Sequence, residues 1–298
     1  MTLTLALLLD AVFGEPKWLW SRLPHPAVVI GNAIGWADRR FNEGAGRKAR
    51  GIALALALVL GGLLIGGAIQ SLGTIPTAIA AAILLAQRSL ADHVRQVGDA
   101  LRLSTAGGRT AVARIVGRDT TAMTPPDIAR AAIESAAENL SDGITAPAFW
   151  FLIGGLPGML AYKAINTADS MVGYRTPRHE AFGWASARLD DLLNLIPARL
   201  TALTLSLAAG HWPDLPAIRA DARLHRSPNA GWPEAAMSRA LGLALSGPRS
   251  YHGQMQDLPW VNPEGRRDAG PEDIDRAVAL LWRAWAVLLT AALLAAIV

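Results

Sequence analysis

The amino-acid sequence predicts an all-α fold, that of a polytopic integral membrane protein with broken or re-entrant helices and cytoplasm-facing loop helices. Its 298 residues are 52% hydrophobic and only 17% charged, whereas an average soluble domain is about 25% charged. Residues 51–70 carry no charge, and about 20 mainly apolar residues are enough to cross a bilayer. Other apolar stretches are interrupted by Gly, Pro or polar residues. We expect residues 1–298 to form a single domain.

Three stretches are predicted to span the membrane. The first two, 51–70 and 74–91, are separated by a short turn-like segment and form a helical hairpin. The third, 278–298, carries Arg283 near its start, where a long side chain can extend to the interface. The opening stretch, 2–13, is too short for a full span, and we predict a short interfacial or partly inserted helix there.

Two further apolar stretches are interrupted, and each allows two interpretations. Residues 144–162 are broken by the run Gly-Gly-Leu-Pro-Gly at 154–158, and residues 192–209 contain Asn194 and Pro197. Each is either an ordinary kinked helix or a re-entrant element whose two ends emerge on one side. Irregular backbone at membrane depth occurs where it lines a cavity or is buried in protein.

Arginine-rich loops set the predicted orientation. Residues 31–50 and 87–130 are basic and flank the 51–86 hairpin. Because basic loops stay on the cytoplasmic side, residues 71–73 are expected outside, in a cell (inner) membrane protein. The net charge of +4 fits these loops, and no segment resembles a nucleic-acid module, so we expect no nucleic-acid partner. The chain has no cysteine, which excludes disulfides and thiolate metal sites.

Three acidic residues share one face of a predicted helix. Thr124 is its expected N-cap and Gly143 its stop, and Glu134, Glu138 and Asp142 follow at intervals of four residues. Like charges at that spacing destabilise a bare helix, so a cation is expected against this face. A divalent metal with nucleotide phosphates is one answer. A solvated acidic face on a surface helix is the other.

A second polar cluster brackets the broken apolar stretches. Lys163, Asn166 and Ser170 share one helical face with Asp169 beside them, and a loop rich in Arg and His follows Gly173. Asp190, Asp191 and Asn194 precede the next apolar stretch. Ionisable residues at membrane depth are functional candidates, and this set predicts a pocket for an anion and a metal. Helix capping and side chains reaching to the interface are an equal alternative.

Two histidines are candidate functional residues, and three absent motifs exclude particular kinds of site. His225 precedes the turn-like Ser-Pro-Asn-Ala-Gly, and His25 lies between two prolines. Either is structural or functional, the structural role being the commoner for a lone His. The sequence contains no G-x-x-x-x-G-K-[ST], no H-E-x-x-H and no G-x-S-x-G, so a Walker loop, a zincin site and a nucleophile elbow are excluded.

Five stretches, taken in order, carry a resemblance to a known family. They are "LLLDAVFGEPKWLWSRLPHPAVVIG", "RDTTAMTPPDIARAAIESAAENLSDGITAPAFW", "LAYKAINTADSMVGYR", "FGWASARLDDLLNLIPARLTA" and "HRSPNAGWPEAAMSRALG". Each is weak alone, but together, from residue 5 to about residue 260, they resemble the CobD/CbiB family of cobalamin biosynthesis. Glu15 and Pro16 stand where that family commonly has Asp-Pro.

The resemblance implies an adenosylcobinamide-phosphate synthase with its active site facing the cytoplasm. Such enzymes join the free propionate of adenosylcobyric acid to (R)-1-aminopropan-2-ol or its O-phosphate as an amide, with ATP and Mg²⁺. Activation of the carboxylate as an acyl phosphate requires metal for the phosphates, cations for the developing negative charge and a base for the amine. The lipid bilayer and other corrin-assembly membrane enzymes are further expected partners.

The resemblance also assigns roles to the polar residues. The expected catalytic residues are Glu134, Glu138, Asp142, Asp169 and Lys163, and the expected metal ligands are Glu134, Glu138, Asp142, Asp190 and Asp191. Lys163 and Arg188 are expected at the phosphates of ATP or of the acyl phosphate, and Arg118, Arg175 and Arg178 at the aminopropanol phosphate. The residues expected at the corrin periphery or its nucleotide side are His25, Tyr174, His225, Asn229 and Trp232, and Asn139 and Asn166 complete the substrate-binding set.

Topology favours the re-entrant interpretation of residues 144–162. If that stretch crossed the bilayer, residues 163–188 would lie outside, away from cytoplasmic ATP. Two other functions stay open: a non-enzymatic membrane sensor or transporter that binds a cation at the acidic face, and a structural scaffold for corrin enzymes.

Overall fold

Helices make up most of the chain, for which a computed structural model describes residues 1–251 and 254–296. In chain order the elements are α1 (Thr2–Phe13), α2 (Lys17–Trp20), α3 (Pro26–Phe41), α4 (Arg47–Gln70), α5 (Thr74–Leu84), α6 (Gln87–Leu103), α7 (Thr105–Val112), α8 (Pro125–Leu140), a π-helical turn (Ser141–Thr145), α9 (Ala146–Val172), α10 (Trp184–Leu193), α11 (Leu195–Ala208), α12 (Leu215–Ala222), α13 (Gly231–Leu241), β1 (Leu245–Ser246), β2 (Arg249–Tyr251), β3 (Gln254–Gln256), β4 (Trp260–Val261) and α14 (Pro271–Ala295).

The chain divides into two compact units, each built from two separated segments. Unit 1 comprises Met1–Ala86 and Asp142–Pro197, and unit 2 comprises Gln87–Ser141 and Ala198–Val298. The chain therefore passes between the units three times. The expectation of a single domain over 1–298 stays a prediction.

Four helical stretches of the described residues are long and apolar enough to cross a membrane. They are Arg47–Gln70, Thr74–Leu103, Pro125–Val172 and Pro271–Ala295. The predicted spans 51–70 and 74–91 lie within the first two, and 278–298 lies within the fourth except for residues 296–298, of which 297 and 298 are outside the described residues. The opening stretch forms the short apolar helix α1.

Unit 1 is organised by the close packing of α4 against α9. A Cβ atom on Gly62 would lie 2.6 Å from the Cα of Ala161, and one on Gly66 would lie 2.5 Å from the Cα of Pro157. Real Cβ atoms do not approach backbone so closely, so only glycine fits at these positions. Small residues allow helices to approach in this way, as they commonly do in membrane proteins.

Helix α9 bends in its first half. Gly154 and Gly155 leave the helical conformation, with φ of −129° and +61°, and the second value is one that residues with a side chain rarely adopt. The side chain of Gln70 accepts a hydrogen bond from the backbone N–H of Leu156 at 2.9 Å. The interruption predicted within 144–162 is therefore a stabilised bend, and its re-entrant relation to a bilayer stays a prediction.

The second half of α9 packs against α3 and α10. Ile34, Ala168, Val172 and Phe182 form a buried core. Helix α10 ends at Leu193, and α11 begins two residues later, so the break expected within 192–209 falls at Asn194. This arrangement brings one face of α10 onto the polar face of α9.

Unit 2 combines helices with short strands that the all-α prediction omitted. Helix α6 contacts α7, α8 and α14, and α8 also contacts α13. β1 pairs antiparallel with β4, joining Leu245 to Val261, and β2 pairs with β3. Each strand has two or three residues, too few for a periodic pattern to be recognised in the sequence.

Candidate functional site

Two carboxylates in unit 1 meet at one asparagine. Asn166 Nδ2 donates hydrogen bonds to Asp142 Oδ2 at 3.2 Å and to Asp190 Oδ1 at 3.1 Å. Asp142 lies in the π-helical turn, Asn166 on α9 and Asp190 on α10. The carboxylates are 24 residues from Asn166 on either side, so the fold, and not local spacing, brings them together.

A hydrogen-bonded chain continues from Asp190. Asn194 Nδ2 donates to Asp190 Oδ2 at 3.0 Å, and Tyr162 Oη donates to Asn194 Oδ1 at 3.0 Å. Both oxygens of Asp190 therefore accept amide hydrogens. Burial raises the pKa of Asp190 to about 6, against the opposing effect of the hydrogen bonds from Asn166 and Asn194. The group is still ionised at neutral pH.

Local backbone features hold these residues in place. The π-helical turn inserts an extra residue at Asp142, and such turns are often found at functional sites. Gly183 allows the loop after α9 to return close to it, because a Cβ atom there would lie 1.7 Å from the carbonyl oxygen of Val172. Helix α10 thus starts beside the end of α9, which directs Asp190 back toward Asn166.

Lys163 adds a positive charge to this cluster, which we call the Asp142–Asp190 cluster (Asp142, Lys163, Asn166, Asp190 and Asn194). Its ammonium group interacts electrostatically with Asp142 and with Glu15. These residues are among those from which the sequence predicts an anion-and-metal pocket, and that pocket stays a prediction. Asp169 lies near the end of α9, where its side chain lies against Gly173.

His25 has a structural role in unit 1. It caps α3, where its Nδ1 accepts a hydrogen bond from the backbone N–H of Ala27 at 3.2 Å. Its ring contacts Trp20 edge-on at 4.5 Å between centroids. Burial lowers the pKa of His25, although Glu15 opposes the shift. A role at the corrin stays a prediction.

The loop after α9 forms a separate polar cavity of about 250 Å³ in unit 1. Arg175, Arg188 and Asp191, all predicted from the sequence, line it together with Glu180 and Trp184. Arg188 lies 3.9 Å from Asp191, and burial raises the pKa of Asp191. The structure therefore groups two of the predicted phosphate-binding arginines.

Two other residues of this loop lie apart from that cavity lining. Arg178 makes two hydrogen bonds to Asp38 Oδ2, at 2.8 Å and 3.2 Å, which fix the loop to α3. Tyr174 is exposed. Neither observation tests their expected binding roles.

In unit 2, Glu134 holds two buried arginines. Its carboxylate accepts hydrogen bonds from Arg118 Nη2 at 2.8 Å, from Arg249 Nη1 at 3.1 Å and from the backbone N–H of Ser246 at 2.8 Å. The Arg118, Glu134 and Arg249 side chains are 9%, 10% and 14% exposed. The cation expected against the acidic face is here a pair of guanidinium groups. The metal role of Glu134 stays a prediction.

A second buried glutamate lies on α13. Burial, reinforced by the charge of Glu134, raises the pKa of Glu234 to about 8, so this carboxyl is protonated at neutral pH. Its Oε2 lies 3.9 Å from His225 Nε2, beyond hydrogen-bond distance. Burial lowers the pKa of His225. Glu234 and His225 are therefore both neutral at pH 7.

The other predicted residues of unit 2 contact nearby residues. Arg199 donates to Asn229 Oδ1 at 3.1 Å and lies over the Trp232 ring at 4.6 Å. Asn139 donates to the carbonyl of Ser135, one turn earlier on α8, at 2.9 Å. Glu138 is exposed on the same helix. Their substrate and catalytic roles stay predictions.

The match to a family model decides which family this chain is from. The model of the CobD/CbiB protein family matches residues 3–281. The chain belongs to the CobD/CbiB family. Proteins named cobalamin biosynthesis protein CobD are similar over nearly their whole length, and no solved structure matches. The protein of Sinorhizobium fredii is 48% identical, and the match covers 98% of this chain and 95% of the relative. The protein of Brucella suis is 49% identical, with 95% of this chain and 92% of the relative covered. The protein of Rhodobacter capsulatus is 47% identical, with 95% of this chain and 93% of the relative covered.

A magnesium site in this CobD/CbiB chain stays a prediction. Among residues 1–251 and 254–296, no group of three or more His, Asp or Glu side chains is arranged to hold a metal ion. Mg²⁺, however, usually takes one or two carboxylates and completes its shell with water and phosphate oxygens. Asp142 and Asp190, whose oxygens converge on one Asn166 nitrogen, fit that requirement. Glu134 fits it less well, because two guanidinium groups already pair with its charge.

Four polar residues of this family member were not singled out from the sequence. They are Tyr162, Glu234, Ser246 and Arg249. Tyr162 and Glu234 occur in helices of apolar and small residues, where a burial pattern alone suggests packing. Ser246 and Arg249 lie in a turn-rich segment that has no periodicity from which to infer a contact 112 or 115 residues away.

Proposed function

We propose that this chain acts in cobalamin biosynthesis as an ATP- and Mg²⁺-dependent amide ligase. It attaches (R)-1-aminopropan-2-ol, or its O-phosphate, to the free propionate of adenosylcobyric acid. Two kinds of support agree: the membership of the CobD/CbiB family, whose similar relatives are named for cobalamin biosynthesis, and the geometry of the Asp142–Asp190 cluster.

The observation that carries the chemistry is the convergence of Asp142 and Asp190 on Asn166. When bound, ATP with Mg²⁺ supplies the phosphoryl group that makes the propionate carbon reactive toward an amine. The two carboxylates hold the metal, and Asn166 and Asn194 fix their oxygens. Lys163, close to Asp142, offsets the negative charge that develops at the reacting carboxylate.

We further propose that the protein is a polytopic inner-membrane protein whose active site faces the cytoplasm. Four helical stretches of sufficient length and hydropathy support this arrangement. The bend of α9 at Gly154–Gly155 supports a re-entrant course that keeps Asp142 and Lys163 on one side of the bilayer.

The test is amide formation by the purified full-length protein in detergent. The protein is given adenosylcobyric acid, either amine, ATP and Mg²⁺, and the product and spent nucleotide are identified by mass spectrometry. Asp142→Asn and Asp190→Asn should each lower kcat/KM by at least about 100-fold, within the range seen when groups that orient or activate ligands are removed.

Two controls make the result specific. Asp99→Asn removes an exposed carboxylate that pairs with nearby Arg102, and it should leave the rate unchanged. Circular dichroism and gel filtration show whether each variant folds. The proposal fails if amide forms equally well without ATP or Mg²⁺, or if folded Asp142→Asn and Asp190→Asn proteins keep the normal rate.

A further inference from the structure

An apolar groove in unit 1 lies between helices α3, α4, α5 and α9. Its volume is about 560 Å³, and every lining residue in the described part of the chain is apolar. Each of the four helices contributes an alanine to the wall, namely Ala33, Ala57, Ala80 and Ala164. Because these side chains are small, space remains where the four helices meet.

The chemistry of the walls requires an apolar occupant. A buried water makes about two to four hydrogen bonds, and the described lining residues offer no polar side chain with which to make them. Backbone groups within helices already bond to one another. An empty void of this size would forfeit the dispersion contacts of the atoms around it. The groove is therefore expected to hold hydrocarbon.

The groove is open to the surroundings of the protein. Two of its lining side chains, Val29 and Ile65, are 51% and 57% exposed. Three of its walls, α4, α5 and α9, belong to helical stretches long and apolar enough to cross a membrane. In the membrane course proposed above, the medium at this opening is the hydrocarbon of the bilayer, so a lipid chain can enter directly.

The length of the groove corresponds to one leaflet. Its lining on α4 runs from Ala57 to Ile69, which is about 18 Å along the helix axis. One leaflet accounts for about 15 Å of the hydrocarbon core. A helix of the same length and about 10 Å across would fill roughly 1,400 Å³, more than twice the volume of the groove. These dimensions favour an extended hydrocarbon chain over a helix.

We propose that this groove binds one acyl chain of a membrane phospholipid. Inside a bilayer, apolar surfaces associate through close packing and not through the hydrophobic effect, so the shape of the groove, and not the headgroup of the lipid, determines binding. The proposal depends on the membrane course proposed above but not on the amide-forming reaction.

Native mass spectrometry of the full-length protein, released from detergent micelles, tests the proposal. The protein is titrated with palmitoyl-oleoyl phosphatidylglycerol, and we expect a saturable adduct of one lipid per chain. The phosphatidylethanolamine with the same chains should compete within about threefold, because packing and not charge is recognised. Glycerophosphoglycerol, the same headgroup without acyl chains, should not bind.

A matched pair of glycine variants shows whether the lipid lies in the groove. Gly61 lines it and Gly67 does not, and a Cβ atom added at either glycine meets no atom within 4 Å. Gly61→Leu should lower the lipid-bound fraction by at least about tenfold, because the new side chain takes the place of the acyl chain. Gly67→Leu should change that fraction by less than about twofold. Ala80→Leu fills the groove from α5 and should repeat the loss.

Four results would overturn the proposal. They are the absence of a saturable adduct on the natural protein, equal lipid retention by folded Gly61→Leu and Gly67→Leu, retention that follows the headgroup, and a natural dimer that Gly61→Leu converts to a monomer. The last would show that a second copy of the chain occupies the groove. Amide formation is measured on the same samples, and its absence in the natural protein would refute the proposed reaction without affecting the lipid site.

Discussion

Replacing Glu134 by Gln distinguishes two roles for this residue, metal ligand and organiser of arginines. The substitution keeps the size of the side chain but removes the charge shared by Arg118 and Arg249. In the native structure the carboxylate accepts three hydrogen bonds, two of them from guanidinium groups at 2.8 Å and 3.1 Å. All three side chains are at least 86% shielded from solvent, so the charge left on the two arginines is largely buried.

The expected loss of stability follows from that burial. Breaking a buried ion pair by removing one partner costs about 3–5 kcal/mol, because the remaining charge is left uncompensated. Glutamine still offers one carbonyl oxygen as an acceptor, so we expect the lower end, about 3 kcal/mol. For a domain of about 150–250 residues this corresponds to a fall in Tm of roughly 6–12 °C.

The assay is thermal unfolding in one detergent at one heating rate, because irreversible unfolding makes Tm depend on the rate. Glu138→Gln, one turn further along α8 and exposed, is the matched control and should change stability by less than about 0.5 kcal/mol. If Glu134→Gln left Tm within about 1 °C of the natural value and instead raised the Mg²⁺ requirement, the ion-pair interpretation would be refuted.

A double-mutant cycle that combines Glu134→Gln with Arg118→Met measures the coupling energy between these two side chains. Because Arg118 and Glu134 are in contact, their substitutions should not be additive. The double variant should be more stable than the sum of the single effects predicts, by about 1.5–3 kcal/mol. A coupling energy near zero would show that the contact contributes nothing to stability.

The remaining predictions concern packing, pH and topology. Gly66→Ala should destabilise the protein by about 1–3 kcal/mol through overpacking, because its Cβ atom would lie 2.5 Å from the backbone of α9. Gly67→Ala is the control and should be neutral or slightly stabilising, because no atom lies within 4 Å of the added Cβ. Thermal unfolding compares the two variants. Mg²⁺-dependent activity should fall as the pH is lowered through about 6, because Asp190 is a carboxylate above that pKa and neutral below it. A higher Mg²⁺ concentration should move the midpoint of this activity profile to lower pH. A flat activity profile between pH 5 and 7 would count against the site. Arg175→Cys, in a chain without other cysteines, should react with an impermeant thiol reagent only from the cytoplasmic side; labelling from outside alone would disprove the re-entrant course of 144–162.

The elements that were predictable from the sequence are those determined by the hydropathy and backbone preferences of neighbouring residues. An uncharged stretch at 51–70 predicts a helix, and α4 covers it. Glycines and a proline at 154–158 predict an interrupted helix, because glycine permits the φ of +61° that Gly155 adopts. The end of α10 at Leu193 was likewise predictable from its neighbours Asn194 and Pro197.

The partners of the polar residues were not predictable in that way. Spacing on a helix placed Glu134, Glu138 and Asp142 on one face, but only the fold shows that Arg249 pairs with Glu134 from 115 residues away. Likewise Asp142 and Asp190 come together through Asn166, although 48 positions of sequence separate the two carboxylates. Long-range contacts of this kind depend on tertiary packing, which periodicity does not encode.

The contacts of α4 with α9 fix the register between the two helices. Gly62, Gly66 and Gln70 recur every fourth residue and meet α9 successively at Ala161, Pro157 and Leu156, so one stripe of α4 follows α9 up to the bend. Inserting a single residue between 62 and 66 would rotate the two ends of the stripe apart by about 100°, and the amide of Gln70 would no longer reach the bend. This helix therefore tolerates changes on its outer faces much more readily than any change in its length.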